Sequence, residues 1–298
     1  STSGVILNGS NLQDGDSGLK IHSSHTLIMG MQIIGFPDFG ILIEAGASNN
    51  TIGGAGKGEG NVIGWNNRNG ITIWGDGTDN NRIIGNHIGI DSGGRTHLSN
   101  QENGIYISDQ ADGTVIGGVF QEEGNIISGN ATQGILITNA DNTLIRGNII
   151  GLDIRERANI GNNAYGISIE NGVGSVIGGE EEIYRNIISG NGGGIEVFGP
   201  GSFGNVIAGN TIGANEFGYN GSNGVFIHDG ASENIIGPGN IITYSAQHGI
   251  QIDGLDTVQN VLTANSIYLN NEDAITITDA GNGDIPGVDL ISVTTRSA

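Results

Sequence analysis

The chain has 298 residues, of which 31 are acidic and 10 basic, a formal net charge of −21, and it has no cysteine. The charge repels phosphate backbones, which excludes nucleic acid as the expected partner, and it counts against acidic glycans because no basic cluster offsets it. Disulfides and thiolate metal sites are excluded too, and no stretch reaches the roughly 18 apolar residues of a membrane span.

The 56 glycines against 4 prolines mark frequent tight turns, not a flexible linker. Residues 1–17 read as an irregular N-terminal edge, with Val5-Ile-Leu7 as its strand and no capping helix. From residue 18 one short strand returns down the chain, at Gly18-Leu-Lys-Ile21, Gly40-Ile-Leu-Ile43, Gly70-Ile-Thr-Ile73, Gly104-Ile-Tyr-Ile107 and Gly134-Ile-Leu-Ile137, then Gly166-Ile-Ser-Ile169, Gly194-Ile-Glu-Val197, Gly224-Val-Phe-Ile227, Gly249-Ile-Gln-Ile252 and Ala274-Ile-Thr-Ile277. Successive starts lie 22 to 34 residues apart, the interval of a coil stacked on copies of itself. Two β-branched residues share one face of each strand and the variable third residue takes the other, predicted to face solvent.

A second strand follows in each repeat, as in Asn81-Arg-Ile-Ile-Gly85 and Asn142-Thr-Leu-Ile-Arg146, and a third in Gly60-Asn-Val-Ile63 and Gly124-Asn-Ile-Ile127. Three strands per turn define a triangular coil. Coils with Ile-Gly-Gly and a short acidic insertion, at 52–60, 116–124 and 177–185, alternate with coils carrying Gly-Asn-x-Ile-Gly, at 85–89, 147–151 and 209–213. Asn86, Asn148 and Asn210 repeat at 62-residue spacing, which predicts asparagines stacked at equivalent corners with their amides bonded in ladders. The predicted architecture is all-β: a right-handed parallel β-helix solenoid of about ten coils in one domain, with repeating coils over 18–278 and a C-terminal closing segment over 279–298.

The coils resemble the right-handed parallel β-helix repeat family of bacterial secreted and cell-surface proteins, through Gly124-Asn-Ile-Ile-Ser-Gly-Asn130 with Gly134-Ile-Leu-Ile137 and Asn186-Ile-Ile-Ser-Gly-Asn191 with Gly194-Ile-Glu-Val197. The resemblance covers nearly the whole chain. It implies an extracellular or cell-surface location and glycan contact on the Gly-Ile-x-Ile sheet, but the fold is shared by lyases, hydrolases, epimerases and adhesins. The chain then reads as a processed or excised part of a longer protein, its open edges covered by adjoining domains or by end-to-end self-association.

Candidate chemistry lies on the outward side of that sheet. Trp74, Tyr106, Phe198 and Phe226 offer stacking surfaces to sugar rings, and Glu170 and Glu196 occupy neighbouring coils; the same residues are equally the ordinary decoration of a β surface. A second group, His228, His248, Asp253, Glu272 and Asp273, gathers in the last coils, with Asp273 and either Asp253 or Glu272 as a candidate acid and base pair. Glu272-Asp273 and His248-Gly249 are similar to the Asp pair and part of the His motif of polygalacturonase-type β-helix hydrolases, while that family's Asn-x-Asp and Arg-x-Lys are missing. The Asp-Pro-His-Glu motif of uronate epimerases is absent as well, and only Lys20 supplies a cation in the outward register, as a lyase would need. Calcium could bridge acidic loops at Asp91, Asp153 and Asn215 or at Glu122-Glu123 and Glu180-Glu181-Glu182, although no calcium-loop spacing or histidine metal spacing is present. The sequence thus favours a stiff scaffold or glycan-contact module, with a polysaccharide-cleaving hydrolase or lyase as the alternative.

Overall fold

The computed structural model of the chain describes residues 4–214, 218–279 and 281–282. Asn215, and all of the expected closing segment over 279–298 except Asp279, Gly281 and Asn282, lie outside the described residues. Three sheets, of ten, ten and nine strands, run the length of the molecule, and every strand pairs in parallel with its counterpart in the next coil. The Gly-Ile-x-Ile segments are the second sheet, from Leu19–Ile21 to Ile275–Thr278. The fold is the right-handed parallel β-helix of about ten coils that the repeats predict.

Each coil turns isoleucine inward from all three sheets. Ile63, Ile71, Ile73 and Ile83 are fully buried and stand in register with Ile88, Ile105, Ile107 and Ile116 of the following coil. Burying such a side chain is worth about 1.5–3 kcal/mol, and the repetition of the same contact supplies the core that a narrow coil otherwise lacks. The glycine opening each strand is required by close approach. A β-carbon at Gly104 would meet the Gly134 carbonyl oxygen and the Ile127 Cγ2, both at 2.7 Å. Alanine appears at that position only in Ala274, in the last coil among the described residues.

Asparagine ladders hold the corners, as the 62-residue spacing predicts. Before the first sheet, each amide donates to the next through Asn61, Asn86, Asn125, Asn148, Asn186, Asn210, Asn240 and Asn265, at 2.8–3.2 Å. Before the second sheet the row runs Asn66, Asn100, Asn130, Asn162 and Asn191. A third ladder joins Asn205, Asn234 and Asn260, but Thr114 and Thr143 interrupt that corner with hydroxyls that have no partner.

The alternation of coil types is a difference in loops. Long loops after the first-sheet strands of two coils fold back through antiparallel bridges, Ile90 with His97 and Leu152 with Asn159. Their Ile90 and Ile160 bury Ile126 on the outer side of the first sheet. These loops are thereby committed to the first sheet, and the second sheet presents three unbroken outward columns.

One expectation is corrected here. The third residue of each Gly-Ile-x-Ile does not simply face solvent: Leu42, Thr72 and Ser168 are buried, and Tyr106, Leu136, Glu196, Phe226 and Gln251 are half-buried. Strands about 4.8 Å apart bring outward side chains of successive coils into contact, so a small residue such as Thr72 is covered by its register partners Leu42 and Tyr106.

Candidate functional site

Parallel pairing sorts the outer side of the second sheet into columns. The third residues of the motif form one, and the residues two further on form another: Glu44, Trp74, Ser108, Thr138, Glu170, Phe198, His228, Asp253 and Thr278. A further column precedes the glycines and includes Tyr165, Asn223, His248 and Asp273.

The densest polar arrangement spans the strands Tyr165–Glu170, Gly193–Phe198 and Val225–His228. Glu196 reaches diagonally to the next coil, its Oε1 lying 3.2 Å from His228 Nε2, while its Oε2 accepts a 2.9 Å hydrogen bond from the Ser168 hydroxyl. Both side chains of the pair are only 16% exposed. His228 Nδ1 lies 3.0 Å from Asp229. The imidazole stacks on Phe198 in the preceding coil, with ring centres 5.4 Å apart, and on Phe226 two residues away, at 4.1 Å. Burial by these rings pushes the imidazole pKa down, but the hydrogen bond and charge of Glu196, joined by Asp229, outweigh it and raise His228 above its ordinary value.

Tyr165 closes one side. Its ring lies over Gly193, where any β-carbon would meet it, and its hydroxyl is 3.3 Å from Ser222 Oγ. Burial, and secondarily the Glu196 charge, raise the phenol, so Tyr165 stays a neutral donor. Glu170 accepts a hydrogen bond from Thr138 at 3.2 Å. It is two residues and one strand away from Glu196, an offset of about 8 Å in sheet geometry.

The two groups expected from sequence are redistributed. His228 joins Glu196, Phe198 and Phe226, not the last-coil acids. His248 is 3.1 Å from Glu272, and Thr276 links His248 to Asp273; both acids are largely in solvent, at 52% and 77% exposure. Asp253 is bound by Thr278 at 2.6 Å instead. It stands five positions along the strand from the column of His248 and Asp273, roughly 16 Å, so Asp253 and Asp273 do not form the expected acid and base pair. Trp74, 47% exposed, and the half-buried Tyr106 lie on the same face, in the third and fourth coils. Sequence reasoning missed Tyr165 and gave Ser168 and Asp229 no role of their own. The one available signal was the extra glycine, Gly193, that leaves room for the Tyr165 ring.

The acidic loops serve their own backbones. Asp91 Oδ1 accepts the amides of Arg95 and Thr96, and Asp153 Oδ1 those of Arg157 and Ala158, all at 2.7–3.0 Å. Partial burial alone would raise these carboxyls, but the amide hydrogen bonds prevail and lower both. Among the described residues no group of three or more His, Cys, Asp or Glu side chains is placed to hold a metal ion. No helix among them is long and apolar enough to cross a membrane.

No family model and no curated protein matches the sequence. Among solved structures, the chain is similar to a periplasmic alginate epimerase, AlgG, crystallised as a point mutant, at 16% identity and a TM-score of 0.49, covering 93% of this chain and 70% of that one. It is also similar to an alginate lyase from Paenibacillus sp. str. FPU-7, at 14% identity and a TM-score of 0.40, covering 91% of this chain and 97% of the lyase.

Proposed function

We propose that the protein is a polysaccharide-active enzyme that lays an extended glycan along the outer side of its second sheet and hydrolyses it at Glu196, His228 and Glu170. The observation that carries this reading is the half-buried Glu196 and His228 pair, stacked by two phenylalanines and braced by Ser168. A merely decorative surface has no reason to assemble charge, ring and hydroxyl around one imidazole. His228, its pKa raised above the ordinary value, holds Glu196 in place to activate water, and Glu170 in the adjacent column is assigned to the leaving oxygen. The two glutamates stand in adjacent coils, with Glu196 turned toward His228 and Glu170 toward Thr138. Elimination or epimerisation of a uronate needs a cation to neutralise the sugar carboxylate, and the imidazole of the site, His228, is already engaged by Glu196 and Asp229. A secreted or cell-surface setting suits an extended substrate of this kind.

The test is a screen of the purified chain against neutral, acidic and basic polysaccharides, scoring new reducing ends, unsaturated ends and the anomer first released. New reducing ends, abolished by Glu196→Gln with the fold intact, are the expected result. Binding without turnover would make the face a glycan-contact module, and no binding at all would return the protein to the scaffold reading.

A further inference from the structure

The charge pattern of this face bears on which glycan it takes, an inference that rests on the reading above. The outward columns of the second sheet carry Glu44, Glu170, Glu196 and Asp253, with Asp229, Glu272 and Asp273 at their margins. From the third coil to the tenth the two columns that follow the glycines contain no lysine or arginine. Four of the arginines are held elsewhere, Arg82 on Glu123, Arg185 on Glu182, Arg146 over the Tyr184 ring, and Arg68 at the corner over Phe39, between Asp38 and Glu102, while Lys20 stands in the outward register of the first coil. Interleaved with the carboxylates are the aromatic faces of Trp74, Tyr106, Phe198 and Phe226. From Glu44 to Asp253 is seven coils, about 34 Å at the strand spacing, long enough for several sugar units laid along the rod.

The geometry points to an amino-sugar polymer with free amines as the ligand of this face. Aromatic rings accept the apolar C–H faces of the sugars, and ammonium groups meet the carboxylates, seven along this face against the three imidazoles of His22, His228 and His248 that pair with some of them. A polyuronate would place a like charge on each unit against the same columns. An N-acetylated polymer of the same backbone would keep the stacking and lose the charge.

The test is a titration of the intact chain with three oligosaccharides of equal length, followed by calorimetry and by Trp74 fluorescence: glucosamine with free amines, its fully N-acetylated form, and a uronate. In mildly acidic, low-salt buffer the free-amine form should bind about tenfold tighter than the N-acetylated form, as expected for about three partly exposed charge pairs. The uronate should bind weakest, and added salt should erase the preference. Glu44→Gln with Asp253→Asn should cut the preference about threefold without weakening the N-acetylated ligand, whereas Glu122→Gln with Glu181→Gln, on the insertions, should leave it intact. Equal affinity for both glucosamine forms, tighter binding of the uronate, or equal loss in the two double variants would overturn the inference and leave the glycan-binding function standing. Failure of all three oligosaccharides to bind would overturn the inference, and the proposed function falls with it only if the polysaccharide screen above also shows no binding and no turnover.

Discussion

The buried asparagine ladder before the first sheet makes the most quantitative prediction, and Asn148 is its central rung. Its Oδ1 accepts the backbone amide of Asn125 at 3.0 Å and the Asn125 side-chain amide at 2.9 Å. Its Nδ2 donates to the carbonyls of Ile116 and Arg146 and to Asn186 Oδ1, each at 3.0 Å. In Asn148→Ala some of these partners keep a second bond: Asn125 Nδ2 still reaches the Ile83 carbonyl, Asn186 Oδ1 still accepts the residue 148 amide, and the Arg146 carbonyl keeps the Gly118 amide. The Asn125 amide hydrogen and the Ile116 carbonyl lose this partner within a buried corner. At about 1–3 kcal/mol for each buried group left unmade, the expected loss is about 4 kcal/mol. Asn163→Ala is the control, because that side chain is exposed next to the second ladder, and it should stay within about 0.5 kcal/mol of wild type. In a solenoid each repeat contacts only its neighbours, so the damage should be local. Hydrogen exchange read by mass spectrometry should therefore show lost protection in the coils around residues 116–188, alongside a lowered urea midpoint. A loss below about 1 kcal/mol with unchanged exchange in those coils would refute the ladder as a stabilising element.

Two further predictions concern the core and the site. Gly104→Ala should destabilise by more than about 2 kcal/mol, because the new methyl overlaps a carbonyl and an isoleucine that cannot withdraw together; an unchanged thermal midpoint would count against close approach as the reason for glycine there. His228 has a raised folded-state pKa, so its contribution to stability is complete below the unfolded value of about 6.5 and is lost as pH rises through the folded value. NMR titration should place His228 above the ordinary value of about 6.5, and Glu196→Gln should bring it down; a His228 resonance unmoved by that substitution would dismiss the coupling.

What was legible in the sequence was whatever repeats. The Gly-Ile-x-Ile spacing exposes the coil, the inward isoleucine columns and the glycine at the close approach, since each obeys one local rule at every turn. The asparagine corners were equally readable from Asn86, Asn148 and Asn210. The candidate site was legible only as a surface. Placing His228 with His248 and Asp273 correctly recognised successive coils, yet adjacency in the stack is one coordinate of two.

The second coordinate is position along the strand, and pairing register decides it: Asn223, not His228, stands in the His248 column. Five residues of offset then separate groups that are neighbours in coil number. Whether Glu196 turns toward His228, or Tyr165 lies down over Gly193, depends on side-chain packing between coils that no single repeat contains. The sequence by itself determined the solenoid, because stacking requires the same residue types at the same corner in every turn. Only the tertiary structure decided the site, because its members share no repeat rule and meet through register, burial and mutual charge.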